Sequence, residues 1–136
     1  IFFRFFLIVL VMRYWRVEKE EIRRLAEKNT PRIYPVQIRQ IVRFMYVATN
    51  EQCSLGAAVM RYPDFREKVR GMIRGDFYIL PSSIHEVILV PESFGLEPER
   101  MQEMVKEINQ TGVAPEEVLS DSVYYFDGEE IRIVAK

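Results

Sequence analysis

Apolar and polar positions change period several times along the chain, and each change marks an expected element. Residues 1–12, IFFRFFLIVLVM, are apolar apart from Arg4. Their β-branched and aromatic density predicts a buried strand. From Val17 the period becomes helical: Ile22, Leu25 and Ala26 form a narrow stripe, with Glu18, Glu20 and Glu21 at the start and Lys28 near the end, as the helix dipole favours. Asn29-Thr30-Pro31 is expected to stop that helix. Pro35 at a first helical position, then Ile38, Ile41, Val42 and Met45 at i, i+3, i+4, i+7, predicts a short second helix. Phe44 to Thr49 and Leu55 to Tyr62 read as two strands of a hairpin.

Further on, Asp64 with Glu67 three residues later resembles a capping box, and Phe65, Val69, Met72 and Ile73 line one helical face before Gly75. Phe77 to Leu80 predicts a strand. Ile84 to Val90 is so continuously apolar that both of its faces must be covered, the pattern of a central strand. Pro98, then Met101, Met104, Val105 and Ile108, then Gly112, outline what reads as the longest helix. Pro115-Glu116-Glu117 starts one more helical turn. Val123 to Phe126, Asp127-Gly128 and Ile131 to Val134 give the strongest hairpin signal in the chain. Strands fall in adjacent pairs with helices between the pairs. This predicts an α+β fold, an antiparallel or mixed sheet with helices packed on it, in a single domain over 1–136.

Length and composition fit that picture. A chain of 136 residues with 49% hydrophobic content can bury a true core. The single Cys53 excludes an internal disulfide and fits a reducing, cytoplasmic setting. The apolar start is too short to span a membrane, because Arg13 and Arg16 follow at once, and it lacks a small-residue cleavage site before Trp15. No membrane association is expected. Such a start would aggregate if exposed, so a partner strand or an upstream segment is expected to cover it.

The net charge of −1 conceals an asymmetry. Residues 1–74 carry 15 basic and 7 acidic side chains, residues 75–136 carry 4 and 13. The simplest reading is that the halves pack together and neutralise each other; a basic surface for a polyanion, or an acidic surface for a cationic partner, is the alternative. Arg13, Arg16, Arg23, Arg24, Arg32, Arg39 and Arg43, with Tyr14, Trp15 and Tyr34, supply the charge and stacking that nucleic acid would need, but in no single run. Nucleic acid is therefore not the favoured partner.

PSSIHEVILVP is the stretch richest in chemistry. It offers hydroxyls at Ser82 and Ser83, an imidazole at His85 and a carboxylate at Glu86, with Asp121 as an acid from elsewhere in the chain. A nucleophilic triad needs the serine within hydrogen-bond reach of a histidine that an acid orients. On a strand, His85 and Glu86 point to opposite faces, and Ser83 and His85 stand about 6.6 Å apart with parallel side chains. The four residues therefore make no triad by themselves. Turn serines that satisfy backbone groups, beside a histidine with paired nitrogens, are the expected arrangement. One His and one Cys leave no zinc pattern, and EF-hand, G-x-G-x-x-G and Walker A patterns are absent. No metal or cofactor is expected.

The segments TPRIYP, YVATN, GAAVMRYP, GDFYILPSSIHEVILVP and EMVKEINQTGVAPEEVLSDSVYYFD resemble a bacterial family of unknown function, common in gut anaerobes, with an LPSSxHEV segment. The resemblance runs from about Trp15 to Asp127. It implies a bacterial, cytoplasmic protein and assigns no catalytic residue. The expectation is a non-catalytic binding or protein-interaction module with Ser82, Ser83, His85, Glu86 and Asp121 as candidate binding residues. The alternatives are a hydrolase using His85 with Glu86 or Asp121, and nucleic-acid contact through the basic half.

Overall fold

The computed structural model describes residues 12–81 and 83–136. Contacts divide the chain into Ile1–Ile33 and Tyr34–Lys136. In the first unit residues 12–15 are helical, and α1 spans Lys19–Ile33. The strand expected over 1–12 lies outside the described residues except for Met12, which is helical. Pro31 does not stop α1 but sits inside it. Only Arg32 and Ile33 follow, so its ring withholds one N–H from a turn that is already ending. No residue of α1 is buried.

The second unit is built on a six-stranded sheet in the order β1-β2-β4-β3-β5-β6, with antiparallel pairing throughout. The strands are β1 Val36–Val42, β2 Met45–Asn50, β3 Phe77–Leu80, β4 Val87–Pro91, β5 Val123–Phe126 and β6 Ile131–Ala135. The central pair is β3 and β4, in register from Phe77↔Pro91 to Leu80↔Ile88. The apolar run ending at Val90 thus lies where both faces are covered, although Ile84–Glu86 form a loop ahead of the strand.

Two elements differ from the sequence pattern. The expected helix after Pro35 is strand β1, paired with β2 from Val36↔Asn50 to Val42↔Met45. Its residues VQIRQIV suit either period. Pairing with β2 decides, because Val36 and Ile38 then pack on the core together. The hairpin accordingly joins β1 to β2, and Gly56–Arg61, expected as its second strand, forms a 3-10 helix.

Helices cover both faces. On one face the 3-10 helix and α2, Phe65–Met72, bury Val59, Phe65 and Val69 against Phe77, Ile79, Leu89 and Phe126. On the other, α3, Pro98–Thr111, buries Met101 and Val105 against Leu80, Val90 and Val123. Each large side chain fully buried in this way contributes about 1.5–3 kcal/mol. At 14 residues α3 is one shorter than α1. The inward position after Val105 falls to Asn109, while Ile108 is 45% exposed. The capping box at α2 does not form: Asp64 makes no side-chain cap bond. Its backbone is already near-helical at φ −93°, ψ −2°, where a capping residue is extended, and its Oδ2 instead meets Lys68 Nζ at 2.7 Å.

The last hairpin forms as its Asp-Gly turn predicts. Asp127 Oδ1 accepts from the Glu129 and Glu130 amides, each at 3.1 Å, and Gly128 takes φ +94°. These bonds, the Glu130 amide first, hold the Asp127 carboxyl below its usual range, with Arg132 adding to them.

Candidate functional site

The loop after β3 carries the residues that looked most reactive. Ser82 lies outside the described residues. Ser83 is buried and its Oγ accepts the His85 amide at 3.0 Å, a turn bond within the loop. His85 Nδ1 accepts the Leu55 amide at 3.0 Å, which places the ring proton on Nε2, 3.2 Å from Glu117 Oε1. Both ring nitrogens are thereby engaged, one by backbone and one by a glutamate that the sequence did not single out. The His85 carbonyl accepts Thr49 Oγ1 at 2.8 Å. Ala57 donates to the Ile84 carbonyl at 3.1 Å, and Ile84 donates to the Glu117 carbonyl at 2.9 Å.

This knot fixes the bend between β2 and the 3-10 helix. The Asn50 side chain closes the bend by accepting from the Gln52 and Ser54 amides and donating to the Ser54 carbonyl at 2.7 Å. Leu55 takes φ +52°. Gly56 comes so close that a Cβ there would fall on Thr49 Oγ1, the His85 carbonyl and the Asn50 amide. Glu86 is half-buried just ahead of β4. Asp121 is exposed and bonds Asn109 Nδ2 at 2.8 Å, so its partner is α3 and not His85. The structure joins Ser83 to His85 in one loop and holds Asp121 to a different element.

A separate feature has the dimensions of a binding site. On the α2 face of the sheet lies a half-open cleft of about 670 Å³, within the range of small-molecule sites. The end of the 3-10 helix supplies Met60 and Arg61, α2 supplies Arg66, and Tyr124 and Ile131 come from β5 and β6. Pro81, which follows β3, and Leu119-Ser120, which precede β5, close the remaining side. Arg66 Nη1 donates to the Glu129 carbonyl at 2.7 Å, and its guanidinium lies 5.4 Å from the Phe126 ring centroid. An arginine of the basic half is thus held by the hairpin of the acidic half. Tyr62 on the cleft wall donates to the Tyr34 carbonyl at 2.9 Å, and burial, then Asp64, push its phenol up. Asn109, donating also to the Ser120 carbonyl at 3.1 Å, tethers the Leu119-Ser120 wall.

Sequence reading missed Arg61, Arg66 and Tyr124. The available signal was arginine between aromatics in MRYPDFREK. Among the described residues no group of three or more His, Cys, Asp or Glu could hold a metal ion, and no helix is long and apolar enough to cross a membrane.

At the far side of the sheet, Tyr125 sits nine-tenths buried with its hydroxyl 3.0 Å from Asp76 Oδ2 and 3.1 Å from Glu92 Oε1. Burial first, then these two carboxylates, drive its ionisation far above the ordinary tyrosine range.

An antiparallel α+β domain with helices on both faces and a cationic cleft defines the class of protein. The chain belongs to the family of unknown function DUF5688, which matches residues 42–128. That range begins later than the resemblance from Trp15 suggested, yet holds both the His85 knot and every cleft residue except Ile131. Comparison with curated proteins and with solved structures returns no match.

Proposed function

We propose that the protein is a non-catalytic binding module whose ligand occupies the cleft between α2, the 3-10 helix and the β5–β6 hairpin. One observation carries the reading: a cleft of about 670 Å³ combines apolar walls with two arginines, the mixture of shape and sparse polar groups that small-ligand sites use. The hydrolase alternative loses support from His85, whose Nδ1 is taken by a backbone amide and whose Nε2 faces Glu117. A general base needs a free lone pair aimed at its proton. We place the protein in the cytoplasm of a bacterium, on the resemblance carried by its LPSSIHEV segment and on the exposed free thiol of Cys53.

The test is amide chemical-shift mapping with a library of small neutral and anionic fragments. Binders should converge on Arg61, Arg66, Ser120 and Tyr124. Convergence on His85 and Glu117, together with hydrolytic turnover that His85→Ala removes, would replace this reading with the enzyme.

A further inference from the structure

The cleft differs in charge from the unit that contains it. Tyr34–Lys136 carries 16 Asp and Glu against 11 Lys and Arg. The described residues lining the cleft include two arginines and neither Asp nor Glu. A positive recess in an acidic surface concentrates anions locally and repels them elsewhere.

The two ends of the cleft are chemically distinct. Arg66 is oriented before any ligand arrives, with Nη1 on the Glu129 carbonyl and its plane near Phe126. One such bond leaves other N–H donors of a five-donor fork to meet an anion, and a planar carboxylate matches that fork. Met60, Pro81, Leu119 and Ile131 supply apolar surface for a body of matching character. With Arg66 held in place by its bond to the Glu129 carbonyl, the cleft presents an oriented fork for a single planar anion.

We propose that the cleft binds a small monocarboxylate with an apolar or aromatic body, its carboxylate on Arg66 and its body against Leu119 and Ile131. This rests on the cleft being the binding site and names what it holds.

The test titrates the full chain with 3-phenylpropanoate, 3-phenylpropanamide and phenyl phosphate, following cleft amide shifts at low salt. The acid should bind with about millimolar affinity, as its size allows. The amide should bind about tenfold more weakly, and phenyl phosphate no more tightly than the acid. Arg66→Gln should weaken the acid about tenfold. Because that variant also releases Glu129, Leu119→Glu provides a second test: it changes a 43% exposed position and leaves Arg66 and its bonds in place. The lost apolar contact should weaken acid and amide alike, and the added negative charge should weaken the acid several-fold more than the amide. Equal binding of acid and amide would overturn the carboxylate class while leaving the cleft as a binding site. Tighter binding of phenyl phosphate would replace carboxylate with phosphoryl. No cleft shift with any of the three probes would overturn the binding reading together with the proposal.

Discussion

Replacing His85 by alanine removes one identified bond and one identified contact, so its cost can be worked out. The imidazole accepts the Leu55 amide at 3.0 Å. Leu55 is 52% exposed, so water partly replaces the lost acceptor and the cost stays near the ordinary 0.5–1.5 kcal/mol of a hydrogen bond. The Nε2 contact with Glu117 joins side chains 33% and 42% exposed, which limits it to about 0.2–1 kcal/mol after screening. Together these give about 1–2 kcal/mol, or a fall in Tm of roughly 5–10 °C for a domain of this size. Thermal unfolding followed by circular dichroism measures it. Asparagine can offer an acceptor near the Nδ1 position, so His85→Asn should recover more of the loss than His85→Gln, whose amide reaches further, toward Glu117. Unchanged Tm in His85→Ala, or equal recovery by both amides, would refute the assignment of His85 as the clasp of the bend.

Gly56→Ala should cost about 3 kcal/mol or more, since a Cβ there meets two backbone atoms that cannot turn aside; equilibrium denaturation in urea reads the loss. Tyr125 holds its proton more tightly folded than unfolded, so stability is intact below the unfolded value near 10 and declines as pH rises above it. In Tyr125→Phe that alkaline decline should be shallower, as measured by Tm between pH 9 and 11. Asp127 has the opposite sign: its carboxyl is lowered in the fold by the Glu130 and Glu129 amides. Its contribution is present above the unfolded value near 3.9 and is lost as pH falls through the lower folded value. Asp127→Asn should flatten the acid side of the stability profile, and an unchanged profile would contradict the turn's role.

Which elements were legible in the sequence follows from how local their causes are. The β5–β6 hairpin is written in Asp127-Gly128, and α3 in Pro98, Met101 and Val105, because turn chemistry and helical spacing need no distant partner. β1 was not legible, since Ile38, Ile41 and Val42 fit a helix while Val36 and Ile38 fit a strand, and only pairing with β2 distinguishes them. The 3-10 helix at Gly56–Arg61 depends on the close approach of Gly56 to the His85 carbonyl, 29 positions along the chain. The PSSIHE segment announced its chemistry but not its partners, which are the Leu55 amide and Glu117. The cleft was invisible for the same reason. Arg66 becomes a positioned cation only when the hairpin brings Glu129 and Phe126 beneath it.

One comparison separates a structural histidine from a functional arginine: the affinity of His85→Ala and of Arg66→Gln for 3-phenylpropanoate, measured at a temperature where both remain folded. His85→Ala should bind within about twofold of the unaltered chain, and Arg66→Gln about tenfold more weakly, the ~1.4 kcal/mol of one charge-assisted contact. Loss of binding in His85→Ala with retention in Arg66→Gln would contradict both roles.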